Sequence, residues 1–177
     1  MILNKVKIVL KTSQISQTIE VYKSKKQTTL NTKEAILIFP HQLFKSAEIL
    51  DTDCPIYLVE EFLFFKHYKF HKQNIAFHRA TMKCYEAYLK SKGKTVHYIE
   101  AITELSDVRL LISKLIEDGF NTFHITDPTD NWLQKHINSV TDTVEIKWYN
   151  NPLFINTKDE LSAFFKPSKK KFFQTSF

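Results

Sequence analysis

Two glycines in 177 residues is a marked scarcity. A P-loop or a dinucleotide fingerprint needs several, because backbone must approach phosphate closely. Both are excluded, and phosphate contacts are left to helix N-termini or basic side chains. Cysteine is equally scarce: Cys54 and Cys84 form no metal-binding spacing, and two lone thiols predict a reducing compartment. No apolar run approaches membrane-spanning length. The opening stretch is broken by Lys5 and Lys7, so it is no signal peptide. These absences predict a cytoplasmic protein without membrane contact. No serine or cysteine stands in a nucleophile motif, and no paired-carboxylate signature marks an acid–base site. His67, His71 and His78 lie at helical spacing, but no neighbouring cysteine or carboxylate pair completes a ligand set. No metal is therefore expected.

What remains describes an ordinary globular chain, 43% hydrophobic and 25% charged, of a length that suits one domain with a real core. The net charge of +6 owes much to Lys23, Lys25 and Lys26 near one end and Lys166, Lys169, Lys170 and Lys171 near the other. Runs of like charge usually mark solvated segments, and that reading is preferred to a specific nucleic-acid site.

Short apolar runs alternate with helical patterns from residue 34 onward. Strands are expected over 35–39, 56–60, 95–100, 122–126 and 143–149. Pro40 ends the first, since proline supplies no ladder donor. Continuous apolar runs separated by helical patterns predict strands buried on both faces of a parallel sheet. The clearest helix covers 72–91: Ile75, Met82, Tyr85 and Leu89 form one stripe, and Arg79, Lys83, Glu86 and Lys90 lie opposite. Gly93 sits where a left-handed cap is needed. Ser106 is the expected cap of a second helix, closed by Gly119. Asp127-Pro128 is the expected start of a third, and Thr157-Lys158-Asp159-Glu160 a capping box opening a fourth. A short helix is also expected over 44–50. The expected fold class is thus α/β, a five-stranded parallel sheet flanked by helices. Residues 1–33 read as a loose extension or an added hairpin, 34–165 as the domain, and 166–177 as a basic, aromatic tail. In such sheets ligands bind beyond the carboxyl ends of the strands, which here carry Pro40-His41-Gln42-Leu43 and Glu60-Glu61.

Several pieces in order carry a family resemblance. They are Gln42-Leu43 after the first strand, Val59-Glu60 closing the second, and His71-Lys72-Gln73-Asn74-Ile75-Ala76-Phe77 opening the long helix. Met82, then Gly93, Val96 and Tyr98, then Pro128 and Trp132 complete the order. Over residues 35–165 the chain resembles the N-terminal half of the photolyase-related branch of the cryptochrome/photolyase family. That branch includes the bacterial (6-4) photolyases with an iron–sulfur cluster.

The resemblance implies a Rossmann-like antenna domain that carries a pigment of the 6,7-dimethyl-8-ribityllumazine type. A larger helical domain would bind FAD, the iron–sulfur cluster and damaged DNA. The tail, with Phe172, Phe173 and Phe177, looks like the opening of that helical domain, the expected partner. This chain alone would then carry no catalytic residue. Two positions depart from the pattern. Relatives commonly have Gly-Asp before Gln-Leu, where this chain has Pro40-His41, and an acidic residue that helps hold lumazine in some members aligns with Phe64.

The candidate pigment-binding residues are His41, Gln42, Leu43, Glu60, Phe64, Asp127 and Trp132. Gln42 and Glu60 either read the polar edge of a pigment or hydrogen-bond loop backbone. His41 would replace the missing acid, Asp127 either touches ligand or caps its helix, and Trp132 either stacks on ligand or packs. The alternative function is a stand-alone α/β module that binds a nucleotide or a regulatory partner.

Overall fold

The computed structural model describes residues 33–166 and 168. The reading of residues 1–32 and the aromatic tail beyond 168 lie outside the described residues. Five strands form one sheet: β1 Lys33–Ile38, β2 Ile56–Val59, β3 Val96–Ile99, β4 Phe120–Thr126 and β5 Glu145–Tyr149. All neighbours are parallel, in the order β3-β2-β1-β4-β5. The α/β fold with a five-stranded parallel sheet is the one the sequence predicts.

The apolar run of β1 has two destinations because side chains alternate across a strand. Ala35, Leu37 and Phe39 pack with Phe123, Ile125, Leu111, Ile112 and Leu133 on one face. Ile36 and Ile38 pack with Leu58, Met82, Tyr85 and Leu89 on the other. All five residues from Ala35 to Phe39 are buried, as a central strand covered on both faces requires. Among the described residues five α-helices accompany the sheet: α1 Phe62–Phe65, α2 Lys72–Ser91, α3 Val108–Glu117, α4 Asn131–Asn138 and α5 Lys158–Phe164. Helix α2 covers the face of Ile36 and Ile38, while α3 and α4 cover the other.

Helix α2 has the predicted bounds. His71 caps its start, with Nδ1 accepting from the Gln73 amide. At its end the Lys94 amide reaches back to Leu89 and Gly93 takes φ +77, the left-handed closure that glycine serves. Gly119 closes α3 in the same way at φ +88, and a Cβ there would meet open space. Gly119→Ala is therefore expected to cost about 1 kcal/mol through backbone conformation alone. Urea denaturation checks this, and a shift in midpoint with unchanged slope is the expected outcome.

Three helix starts differ from the sequence expectation. Asp107, not Ser106, caps α3, and Ser106 is buried in a preceding 3-10 turn. Helix α4 starts at Asn131 under Asp130, whose Oδ1 accepts from the Trp132 and Leu133 amides, so Pro128 lies in the loop before it. Residues 44–50 form no full helix, only a 3-10 turn over Glu48–Asp51. The capping box at Thr157 and Glu160 forms as expected.

Because β1 and β2 are paired in parallel, with Ile38 opposite Leu58, the loops after Phe39 and Val59 leave the same edge of the sheet. From β1 the chain winds outward to β2 and β3, then returns to the other side of β1 as β4. The strand order reverses between β1 and β4, the position at which such sheets open a crevice.

Candidate functional site at the carboxyl edge of the sheet

The turn after β1 is short and tightly bonded. The Gln42 amide donates to Phe39 and the Phe44 amide to Gln42, both at 2.9 Å. That geometry sends His41 and Gln42 toward the loop after β4. His41 Nε2 lies 3.0 Å from the Pro128 carbonyl oxygen. A carbonyl only accepts, so Nε2 carries the proton and Nδ1 is a bare acceptor. Nδ1 is buried and has no partner among the described residues. Burial pushes the imidazole below its ordinary pKa, against the pull of the Pro128 carbonyl, so the neutral ring is favoured. Its centroid lies 4.9 Å from that of Phe64.

Gln42 spans the switch point. Its Nε2 donates to the Thr126 carbonyl at 2.9 Å and the Asp127 carbonyl at 3.2 Å, and the residue is 3% exposed. Asp127 does not cap α4; its Oδ1 accepts from the Thr129 amide at 3.1 Å. Thr129 sits at φ +54, a strained conformation for a β-branched residue. Asp127 also borders a polar hollow of about 420 Å³, with Asn131, Gln134, Asn151 and Asn156.

A second, more apolar groove runs between residues 40–45 and the outer half of α2. Its volume is about 520 Å³, and His41, Leu43, Phe77, His78, Tyr85 and Tyr88 contribute to its walls. Two tyrosines fix its width. Tyr85 donates its hydroxyl to the Phe44 carbonyl, and Tyr88 donates to the Lys45 carbonyl at 3.2 Å. Burial pushes the Tyr85 phenol up to about 12, so it stays a donor.

Glu60 ends β2 as a fully buried carboxylate. Arg79 Nε donates to it at 2.7 Å, the Tyr98 hydroxyl at 2.6 Å and the Ala101 amide at 2.7 Å, and Arg79 Nη2 adds a further bond. Burial alone would raise its pKa, but these donors outweigh burial and hold it below the usual carboxylate range. Arg79 therefore leaves the solvent side that its spacing assigned to it.

Of the seven predicted residues, His41 and Leu43 face the apolar groove. Phe64 backs His41. Gln42 and Asp127 meet at the switch point, and Glu60 lies along the same edge inside its own network. Trp132 stands 64% exposed on α4, with its ring 6.3 Å from that of His67, and lines neither hollow.

The groups that could hold a metal are not those with helical spacing. Among the described residues they are Glu34, Cys54 and His124, and Glu61, Asp107 and His136. In the first, both His124 nitrogens are engaged, by Glu34 at 2.7 Å and the Tyr149 hydroxyl at 2.8 Å, and Lys147 neutralises Glu34. In the second, Glu61 is fully buried, and burial raises its carboxyl to about 7 despite bonds from the Leu63 and Val108 amides. No sequence motif could have revealed either group, because each draws on three separate elements.

Comparison with known proteins places this site in context. The profile of deoxyribodipyrimidine photo-lyase-related proteins matches residues 36–177. An uncharacterized protein of Acanthamoeba polyphaga mimivirus is 33% identical over 157 residues, 82% of this chain and 79% of the relative. The match runs from the middle of β1 through every later strand and helix, and the chain belongs to the family of deoxyribodipyrimidine photo-lyase-related proteins.

Proposed function

We propose that this chain is an antenna-type domain that holds a flat pigment in the groove between residues 40–45 and α2. The observation that carries this reading is the groove itself, about 520 Å³ in volume and walled by aromatic rings at the carboxyl edge of a photolyase-related sheet. Its volume falls within the range of small-molecule sites, roughly 300–1,000 Å³. Its polar groups are few and placed, as an orienting site requires. The lining fits a ribityllumazine-like ring system, with His41 Nδ1 offering an unpaired acceptor to a ring N–H or a ribityl hydroxyl.

When bound, the pigment supplies light absorption and passes excitation to a flavin. The protein's own residues supply position and exclusion of water. Tyr85 and Tyr88 keep the wall of residues 40–45 against α2. The Pro128 carbonyl fixes the His41 tautomer, and Phe64 fixes the tilt of its ring. Gln42 and Glu60 act one layer behind, holding the loops from which the groove is built.

In this reading FAD, the iron–sulfur cluster of the (6-4) branch and damaged DNA belong to a helical domain that acts as partner. The two cysteines here cannot supply the four thiolates of a cluster. The setting would be the cytoplasm; no described helix is long and apolar enough to cross a membrane.

One observation favours a second reading, a separate α/β module that binds a nucleotide or regulatory partner. The match to the viral relative takes in 79% of that protein, which leaves about a fifth of it for anything besides such a domain.

The test is to titrate the purified chain with lumazine, flavin, deazaflavin and ATP, following absorbance and thermal stability. Tight uptake of a pigment is expected, lost in Cys84→Trp, where the wall residue Cys84 on α2 becomes a bulky ring in the groove, and unchanged in Trp132→Ala. A colourless protein that takes up no pigment but is stabilised by a nucleotide overturns the antenna reading in favour of the second.

A further inference from the structure

Three side chains converge where β2 ends and α3 and α4 begin to cover the sheet. Glu61 comes after Glu60 beyond the end of β2 and caps α1, Asp107 caps α3, and His136 lies on α4. One ligand atom from each lies within 4.8 Å of the other two.

Two of these groups each leave one buried atom without a partner. Glu61 is 0% exposed, and its Oε1 has no hydrogen-bond partner among the described residues. His136 Nδ1 is likewise buried and without one. Two buried polar atoms thus converge without a hydrogen-bond partner of their own among the described residues. A buried unpaired carboxylate oxygen is costly, and such groups in folded proteins are paired or coordinate a metal.

Asp107 supplies the third corner. Arg109 already holds it, through Nε and Nη2, and its Oδ1 also accepts from the Arg109 amide at 2.9 Å. These bonds occupy both lone pairs of Oδ1, while Oδ2 takes Nη2 and a share of Nε; one lone pair of Oδ2 is left for an ion, and Arg109 orients it as outer-shell partners do.

We propose that Glu61, Asp107 and His136 form a binding site for one divalent transition-metal ion of the zinc class. One imidazole nitrogen and two carboxylate oxygens suit a borderline ion better than calcium or magnesium, which favour all-oxygen shells. Water would complete the coordination. The ion would pin the carboxyl end of β2 to the start of α3 and to α4. The site lies on the face covered by α3 and α4, and the proposal stands independently of any pigment.

The chelator-stripped chain titrated with Co2+ is the direct test, because the d–d spectrum reports the ligands. One equivalent should bind with a tetrahedral or five-coordinate spectrum and no thiolate charge-transfer band. Zn2+ should displace it and raise the melting temperature. Glu61→Gln and His136→Ala should each weaken binding by roughly a hundredfold, since even outer-shell changes cost 10–100-fold. Glu34→Gln and His67→Gln should leave it intact. Circular dichroism of each metal-free variant separates loss of the site from loss of the fold. Glu61→Gln is a near-isosteric change, so it keeps the test valid even if His136→Ala unfolds. The proposal is overturned by a thiolate band, which would place the ion at Cys54. Absence of saturable binding, or binding that survives Glu61→Gln, overturns it equally.

Discussion

Replacing Glu60 by alanine is expected to destabilise the domain by about 3 kcal/mol, at the lower end of the cost of breaking a buried ion pair. At this chain length that is a fall of roughly 6–12 °C in melting temperature. The loss does not come chiefly from Arg79, whose side chain is 43% exposed and can return to water. It comes from the Tyr98 hydroxyl and the Ala101 amide, which lose their acceptor at the end of β2. Arg79→Ala should cost a comparable amount by another route, because it leaves the fully buried Glu60 carboxylate without its counter-charge. Glu60→Gln should cost less than either, retaining one acceptor oxygen and leaving no buried charge unpaired.

The pH dependence has a defined sign. Glu60 is held below its unfolded value near 4.3, so its contribution is present above that value. It is lost as pH falls through the folded value. Thermal melts of the wild type and Glu60→Gln at pH 7 and pH 3 check this: the gap between them should shrink in acid. A gap that stays constant would show that the charge contributes nothing.

The network also shows how far sequence can be read. The sheet was legible because β1 needs apolar residues on both faces, and its run of five is hard to read otherwise. Helix α2 was legible in both bounds, since its stripe recurs over many turns and Gly93 closes it. The failures share a cause: side chains distant in sequence capture backbone groups that local rules assign to helices. The Pro128 carbonyl is held by His41 and the Asp127 carbonyl by Gln42, so residues 127–129 stay out of the helix and α4 waits for Asp130. The Phe44 and Lys45 carbonyls are held by Tyr85 and Tyr88, so no helix starts there. Ser106 and Asp107 can both cap, and burial of Ser106 leaves the role to Asp107. Helix α1, a single turn, is too short to leave a periodic trace.

The candidate site divides in the same way. Strand ends were legible, so His41, Gln42, Leu43 and Glu60 fall on one edge. Partners were not. Arg79 looked like a solvent residue because helical spacing says nothing of a carboxylate 19 residues earlier in the chain. Tyr85 and Tyr88 looked like core because a hydroxyl's acceptor cannot be read from periodicity. Trp132, chosen for its aromatic ring, stands in solvent.

Glu61 carries the opposite expectation to its neighbour. In chelating buffer, Glu61→Gln should stabilise the domain at pH 8 by about 2–3 kcal/mol and change little at pH 5. Burial raises the folded carboxyl to about 7, while the unfolded chain titrates near 4.3. Between these values the native state keeps a proton that the unfolded state has released, so stability falls as pH rises through this window. Above the folded value the full cost of ionising a buried acid is present. Glutamine removes that cost because it mimics the protonated form. Its oxygen can accept from the Leu63 amide, as Glu61 Oε2 does now. Its NH2 group then takes the place of Oε1, which has no partner, and can donate toward His136. Urea denaturation at the two pH values decides the matter. If Glu61→Gln is neutral or destabilising at pH 8, burial does not raise the carboxyl above its ordinary value.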